Sequence, residues 1–427
     1  MRRLLAALTV AVSVLGLPAA ASAAPGPADA PEWWFDSWRV PALWSAGADG
    51  HGITIAEIDS GVQADLPELR GKVLAGTDYT GNDSDGRTDY DENDFSHGTA
   101  MGSIMVARKG FAGVEGLAPE ARILPIAIPL EDVKTRGKPS PGAAAEAIDY
   151  AVDHGAKIIS MSVGGIRNEH ADGPDPCSAD VQQAVLRAVR RGVLVVAASG
   201  NSGDEDSPVE EPGVCLGVVS VGAVDRALNV TSFSSRHPYL TVSAPGDNIP
   251  SLSRDALYVA GGTSQATALT SAALALVWSR YPAESDRQIL TRLLETATDR
   301  GPPGRDSAYG YGVIDPAAAI AAPVPVRTAA NSVLDGVQPL LSADAGHPKA
   351  LPAAGAASPS LGTVRVSEAA GASNLLSYLL GGLAVLFLIL AVLLLGSYRR
   401  RRRSPGSSPA PLPAATRPAA PWPAHGS

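Results

Sequence analysis

The chain has 427 residues, 45% of them hydrophobic, which excludes a disordered or fibrous protein and allows one large domain or two ordinary ones. Its formal net charge is −9, with acid concentrated before His97 and the one dense basic run at 399–403, so no nucleic-acid-binding surface is indicated. Two cysteines and no C-x-x-C give no support to zinc-site or thioredoxin-like chemistry.

Residues 1–23 read as a secretory signal peptide. Arg2-Arg3 is the charged region, residues 4–17 the apolar one, and Ala21-Ser22-Ala23 an A-x-A cleavage site. In an exported protein Cys177 and Cys215 are expected to form one disulfide, worth about 3–4 kcal/mol in loop-closure entropy. Residues 24–50 carry Trp33, Trp34, Phe35, Trp38 and Trp44. They are too few for a self-folding pro-domain and are expected to pack as an arm on the main domain.

Residues 53–58 are a β-rich run, with Glu57 at an odd place inside it, ending at Asp59-Ser60-Gly61-Val62. An acid at the C-terminal end of a parallel strand lies where α/β folds place chemistry. Residues 81–94 are rich in Asp and match an EF-hand loop only in part. A solvated acidic loop is expected there, with structural calcium weakly supported and no other cofactor implied. His97 then opens an apolar helical run.

From 119 to 225 strand-like runs (121–127, 157–162, 193–198, 218–224) alternate with helical ones (141–155, 180–191). Such alternation predicts a parallel sheet with helices on both faces. The strand ends carry Ser162-Val163-Gly164 and Ala198-Ser199-Gly200-Asn201. Gly262-Thr263-Ser264 forms a turn that presents Ser264 at the first turn of a long Ala/Leu-rich helix, and 285–298 reads as a further amphipathic helix. The domain is expected to span 51–322, followed by an Ala/Pro-rich flexible linker at 323–373. Residues 374–397 are long and apolar enough to cross a bilayer, and 398–427 form a basic, Pro-rich tail. The expected topology is type I: a single-pass cell-membrane protein with its main domain outside and its tail in the cytoplasm.

Acyl transfer by serine requires parts that this chain carries in the order Asp59, His97, Asn201, Ser264. The hydroxyl is a weak nucleophile until an imidazole takes its proton. The imidazole needs a carboxylate to fix its tautomer and stabilise the cation. The oxyanion needs preorganised donors, for which the Asn201 amide and the Ser264 N–H are candidates.

These blocks, with His97-Gly98-Thr99 and Ser162-Val163-Gly164-Gly165, resemble the signatures of subtilisin-like serine proteases, in that family's order. The resemblance implies a three-layer α/β fold with a central, mostly parallel seven-stranded sheet. It also implies that Ser162, Val163 and Gly164 pair with the substrate as an added strand, and that Ala198, Ser199 and Gly200 line the pocket for the residue before the scissile bond. Within the family the layout is similar to the mycosins, proteases associated with type VII secretion in actinobacteria. That likeness implies protein substrates exported by such a system and its membrane components as partners. Two departures are Ala268, where the family usually has proline, and Gln265, where a hydrophobic residue is commoner. The competing reading is a subtilase-fold scaffold that braces a secretion complex. A secreted esterase lacks its G-x-S-x-G, and a nucleotide-binding protein its glycine motifs.

Overall fold

The computed structural model describes residues 32–91, 96–110, 113–130, 142–166, 177–203, 208–254, 256–323 and 331–345. Eleven strands occur among them: β1 (Thr54–Asp59), β2 (Thr77–Asp78), β3 (Arg122–Ala127), β4 (Ile158–Met161), β5 (Gly165–Ile166), β6 (Leu194–Ala198), β7 (Glu210–Glu211), β8 (Val218–Val224), β9 (Val242–Pro245), β10 (Ile249–Leu252) and β11 (Leu257–Ala260). Seven form one sheet in the order β2-β3-β1-β4-β6-β8-β9, each neighbouring pair parallel. The strands β5 and β7 pair as a short antiparallel ribbon, and β10 with β11 as a hairpin.

The two-residue period of β1 sorts its side chains between the layers. Ala56 and Ile58 join the core beneath α4 (Ala143–Asp153) and α5 (Ala179–Arg190). Ile55 joins the opposite core, with α3 (His97–Val106) and α6 (Thr263–Arg280). Asp59, in phase with Ile55, therefore lies on the face that carries the starts of α3 and α6. Residues 263–279 of α6 are all buried, as expected of a helix running through the middle of a domain.

The segment 33–45 is docked. Its helices α1 (Trp33–Ser37) and α2 (Val40–Ser45) bury Trp33, Trp34 and Val40, and Trp44 Nε1 donates to the Leu117 carbonyl at 2.9 Å. The helices α7 (Asp286–Glu295) and α8 (Pro316–Ala321) follow α6.

Beyond residue 323 the described residues include α9 (Ser332–Gly336) and α10 (Gln338–Ala345). Asn331, Leu334 and Val337 are buried there, and Arg287 pairs with Asp335 at 2.6 Å. One expectation is corrected. The transmembrane helix, and with it the type I topology and cell-membrane placement, is not retained. No helix among the described residues is long and apolar enough to cross a membrane. The 18-residue α6 carries seven Ser, Thr and Gln residues among its core positions and is a domain-core helix. The stretches read as signal peptide (1–23), membrane span (374–397) and tail (398–427) lie outside the described residues.

Candidate active site

The sheet brings Asp59 and His97 together across 38 residues. Asp59 ends β1 fully buried, and His97 Nδ1 donates to its Oδ1 at 2.8 Å. The same oxygen accepts the Ser60 N–H at 2.8 Å, so two donors fix this one oxygen of the carboxylate. A bond from Nδ1 leaves Nε2 as the working nitrogen of the ring, which is about a quarter exposed. Burial alone favours the neutral imidazole. The Asp59 charge and hydrogen bond, then Asp89 and Asp91, outweigh it and hold the His97 pKa above its ordinary 6.5.

The acidic loop before His97 is less solvated than its composition predicts. Asp89 and Asp91 are buried. Asp89 Oδ1 accepts the Ser60 hydroxyl at 2.9 Å and the Asp91 N–H at 3.0 Å; Oδ2 accepts the Thr99 N–H at 2.8 Å and its hydroxyl at 2.6 Å. Asp91 accepts the His97 N–H at 2.9 Å, and Ser60 Oγ accepts the Gly98 N–H at 2.9 Å. These bonds satisfy the orphan donors at the start of α3 and favour its positive end. Just before the loop, Asp78 at the end of β2 accepts bonds from Thr80 and Ser84. These carboxylates thus serve protein donors instead of converging as calcium ligands. Among the described residues the one metal-compatible cluster is Cys177, Glu211 and Cys215, and its cysteines are bonded to each other as the expected disulfide.

Ser264 is the second residue of α6, and its side chain and backbone face the end of β4. Its Oγ donates to the Ser162 carbonyl at 2.7 Å, and Ser162 Oγ donates back to the Ser264 carbonyl at 3.0 Å. Asn201 lies just beyond β6. Its Oδ1 accepts the Thr263 N–H at 2.8 Å and the Thr263 hydroxyl at 3.0 Å, which fixes the amide with its NH2 as the remaining donor end. Gly262 permits this close turn: a Cβ there would lie 2.6 Å from Gln265 Oε1. Gln265, a departure from the family pattern, is thus a buried residue packed against the turn.

The exits of β4 and β6 run side by side, with Met161 opposite Ala197. Ser162, Val163 and Gly164 leave the sheet after β4, and Ala198, Ser199 and Gly200 span the end of the neighbouring β6 at the same edge. Val163 and Gly164 are partly or fully exposed, whereas Ser162, Ala198, Ser199 and Gly200 are buried. Thr263 as the orienter of Asn201, and Asp89 and Asp91 as supports of His97, were not found from sequence. Their signal, an acid six residues before a helix-opening histidine, is visible only in retrospect.

The Subtilase family matches residues 50–312. The chain belongs to that family. It is a subtilisin-like serine protease. The subtilase is 33% identical over 286 residues to minor extracellular protease Epr of Bacillus subtilis (strain 168), a match spanning 66% of this chain but only 41% of Epr. The crystal structure of MycP1 from Mycobacterium smegmatis has a TM-score of 0.60 and 25% identity, over 70% of this chain and 86% of that one. The MycP3 protease from the type VII (ESX-3) secretion system has a TM-score of 0.57 and 30% identity, over 70% of this chain and 90% of that one. The subtilase is therefore related to the mycosins, and serine-protease chemistry needs no cofactor.

Proposed function

We propose that this subtilase cleaves proteins exported by a type VII secretion system, with components of that system as partners, using Ser264 as nucleophile, His97 as general base and Asp59 as its orienter. The observation that supports the triad best is the buried Asp59–His97 bond of 2.8 Å at the strand end that faces the start of α6. In this reading the Ser264 O–H turns from the Ser162 carbonyl to His97 Nε2, and Oγ attacks the substrate carbonyl. The Asn201 NH2 and the Ser264 N–H receive the oxyanion. His97 passes the proton to the leaving amine, and water repeats the cycle on the acyl-enzyme. Ser162 to Gly164 and Ala198 to Gly200 hold the substrate between them, the former by strand addition. We assign the peptidase body to residues 51–322, with 24–50 as its arm.

The test is fluorophosphonate labelling of the purified protein beside Ser264→Ala. Wild-type labelling that disappears in the variant supports an activated Ser264. Equal labelling of both, or none of a folded wild type, overturns the assignment and leaves the scaffold reading.

A further inference from the structure

Glu210 places a carboxylate in the proposed substrate slot between residues 162–164 and 198–200. A Cβ built on Gly164 would fall 2.3 Å from Glu210 Oε2, and one built on Gly200 would fall 2.1 Å from Oε1. The carboxylate therefore lies between the α-carbons of two glycines, one from each segment. Gly200 needs glycine because its φ is +109°, and a side chain at Gly164 would displace the Glu210 carboxylate. Glu210 reaches the slot from β7, whose pairing with β5 sets Ile166 opposite Glu210, directly after the Ser162–Gly164 segment. Its own N–H donates to the Tyr239 hydroxyl at 3.4 Å.

The residue is 8% exposed, yet its surroundings do little for a negative charge. The Ser202 hydroxyl is its one side-chain hydrogen-bond donor, and burial pushes its pKa up. Among the described residues no lysine or arginine pairs with it. A carboxylate buried without a cation is costly and strongly favours one that arrives. Gly164 is exposed, so the side chain preceding the scissile bond would approach the carboxylate from that edge.

We infer that Glu210 is a specificity residue that selects lysine or arginine immediately before the scissile bond. A basic side chain reaching the glycine-edged gap brings its charged head to the carboxylate that lies there, in a charge-assisted hydrogen bond. A large apolar side chain meets a buried carboxylate instead and leaves it unpaired, which is where hydrogen-bonding sites discriminate most. This assignment rests on the proposed slot and on the triad beside it.

The experiment compares kcat/KM for quenched fluorescent peptides that differ only before the scissile bond (Arg, Lys, norleucine, Phe or Ala), using the full-length protein and Glu210→Gln. The expected result is an Arg and Lys preference over norleucine of about 10–100-fold, collapsing to within about threefold in the variant. A wild type that prefers norleucine, Phe or Ala overturns the inference, as does a ratio unchanged in Glu210→Gln. The wild-type series decides the matter even if the variant fails to fold. Fluorophosphonate labelling in parallel separates the two levels. Cleavage with the wrong preference sinks Glu210 alone, and absence of both labelling and cleavage sinks the triad as well.

Discussion

On the histidine side of the site, Asp89 accepts four hydrogen bonds, from Ser60, Asp91 and twice from Thr99. On the slot side, Glu210 takes the Ser202 hydroxyl and otherwise lies against glycine. Both carboxylates are more than nine-tenths buried. Burial alone therefore does not say what an acid is for; the donors around it do. An acid whose four lone-pair directions are filled by the protein is framework, and fixes what lies next to it, here the first turn of α3. An acid left with one hydroxyl is held ready for something not yet bound. Glu57 is a third case. It is buried on β1 against Gly102 of α3, and neither oxygen has a partner in hydrogen-bonding geometry among the described residues. Burial, then repulsion from Asp59 and Asp89, holds its pKa well above the ordinary carboxylate range, so it is stored as the neutral acid.

The sharpest way to break the contrast is to remove chemistry and leave the framework. Ser264→Ala deletes one oxygen, and turnover is expected to fall by a factor on the order of 10⁶ while the thermal unfolding midpoint stays within a few degrees. Asn201→Ala comes next. It removes a proposed oxyanion donor, and kcat is expected to drop about 10²–10³-fold with KM little changed, read from steady-state kinetics. A drop confined to KM would show that Asn201 only binds substrate.

Glu57→Gln tests the stored acid through stability. Because the folded pKa is raised, the native protein keeps a proton that the unfolded chain surrenders above about pH 4.5. The residue's contribution is thus full below that pH and is lost as pH rises toward the folded pKa. The variant should match wild type near pH 4 and gain on it by up to about 1.4 kcal/mol per pH unit above, measured by thermal unfolding across pH. A constant difference at all pH values would show that Glu57 is charged in the fold. The smallest effect is expected at Asp89→Asn. Asp89 helps raise the His97 pKa, so the acid limb of kcat/KM, centred above pH 6.5 in wild type, should move down by a fraction of a unit. The lost acceptor geometry should also cost about 1–3 kcal/mol of stability.

The sheet was legible because its strands are short apolar runs between helical ones, and the predicted runs at 157–162, 193–198 and 218–224 overlap β4, β6 and β8 closely. The edge strands β2 and β9 were missed: Thr77–Asp78 has no apolar signal, and Val242–Pro245 ends in a proline that reads as a turn. Asp59, His97, Asn201 and Ser264 stood out because each sits at the boundary of an element, where chemistry and glycine coincide. Residues that act through tertiary partners left no such mark. Asp89 reads as solvent-facing until Thr99 folds over it, and Glu210 lies nine positions beyond Asn201 in a stretch without periodicity. The burial of Leu334 and Val337 is hidden for the same reason, since an isolated apolar residue is only meaningful against the surface it covers.

The docking of residues 33–50 bears on the timing of folding. Trp33 Nε1 donates to the carbonyl of Asp247, 214 positions away, and the Gly50 N–H donates to Ser279 Oγ across 229. A chain emerging from its N-terminal end makes Trp33 before Asp247 and Gly50 before Ser279, so neither bond can form until synthesis is past the middle of the chain. Contacts of such long sequence separation also make folding slow. This protein therefore has a long interval, set by its own connectivity, during which Trp33 and Gly50 await the residues that they bond.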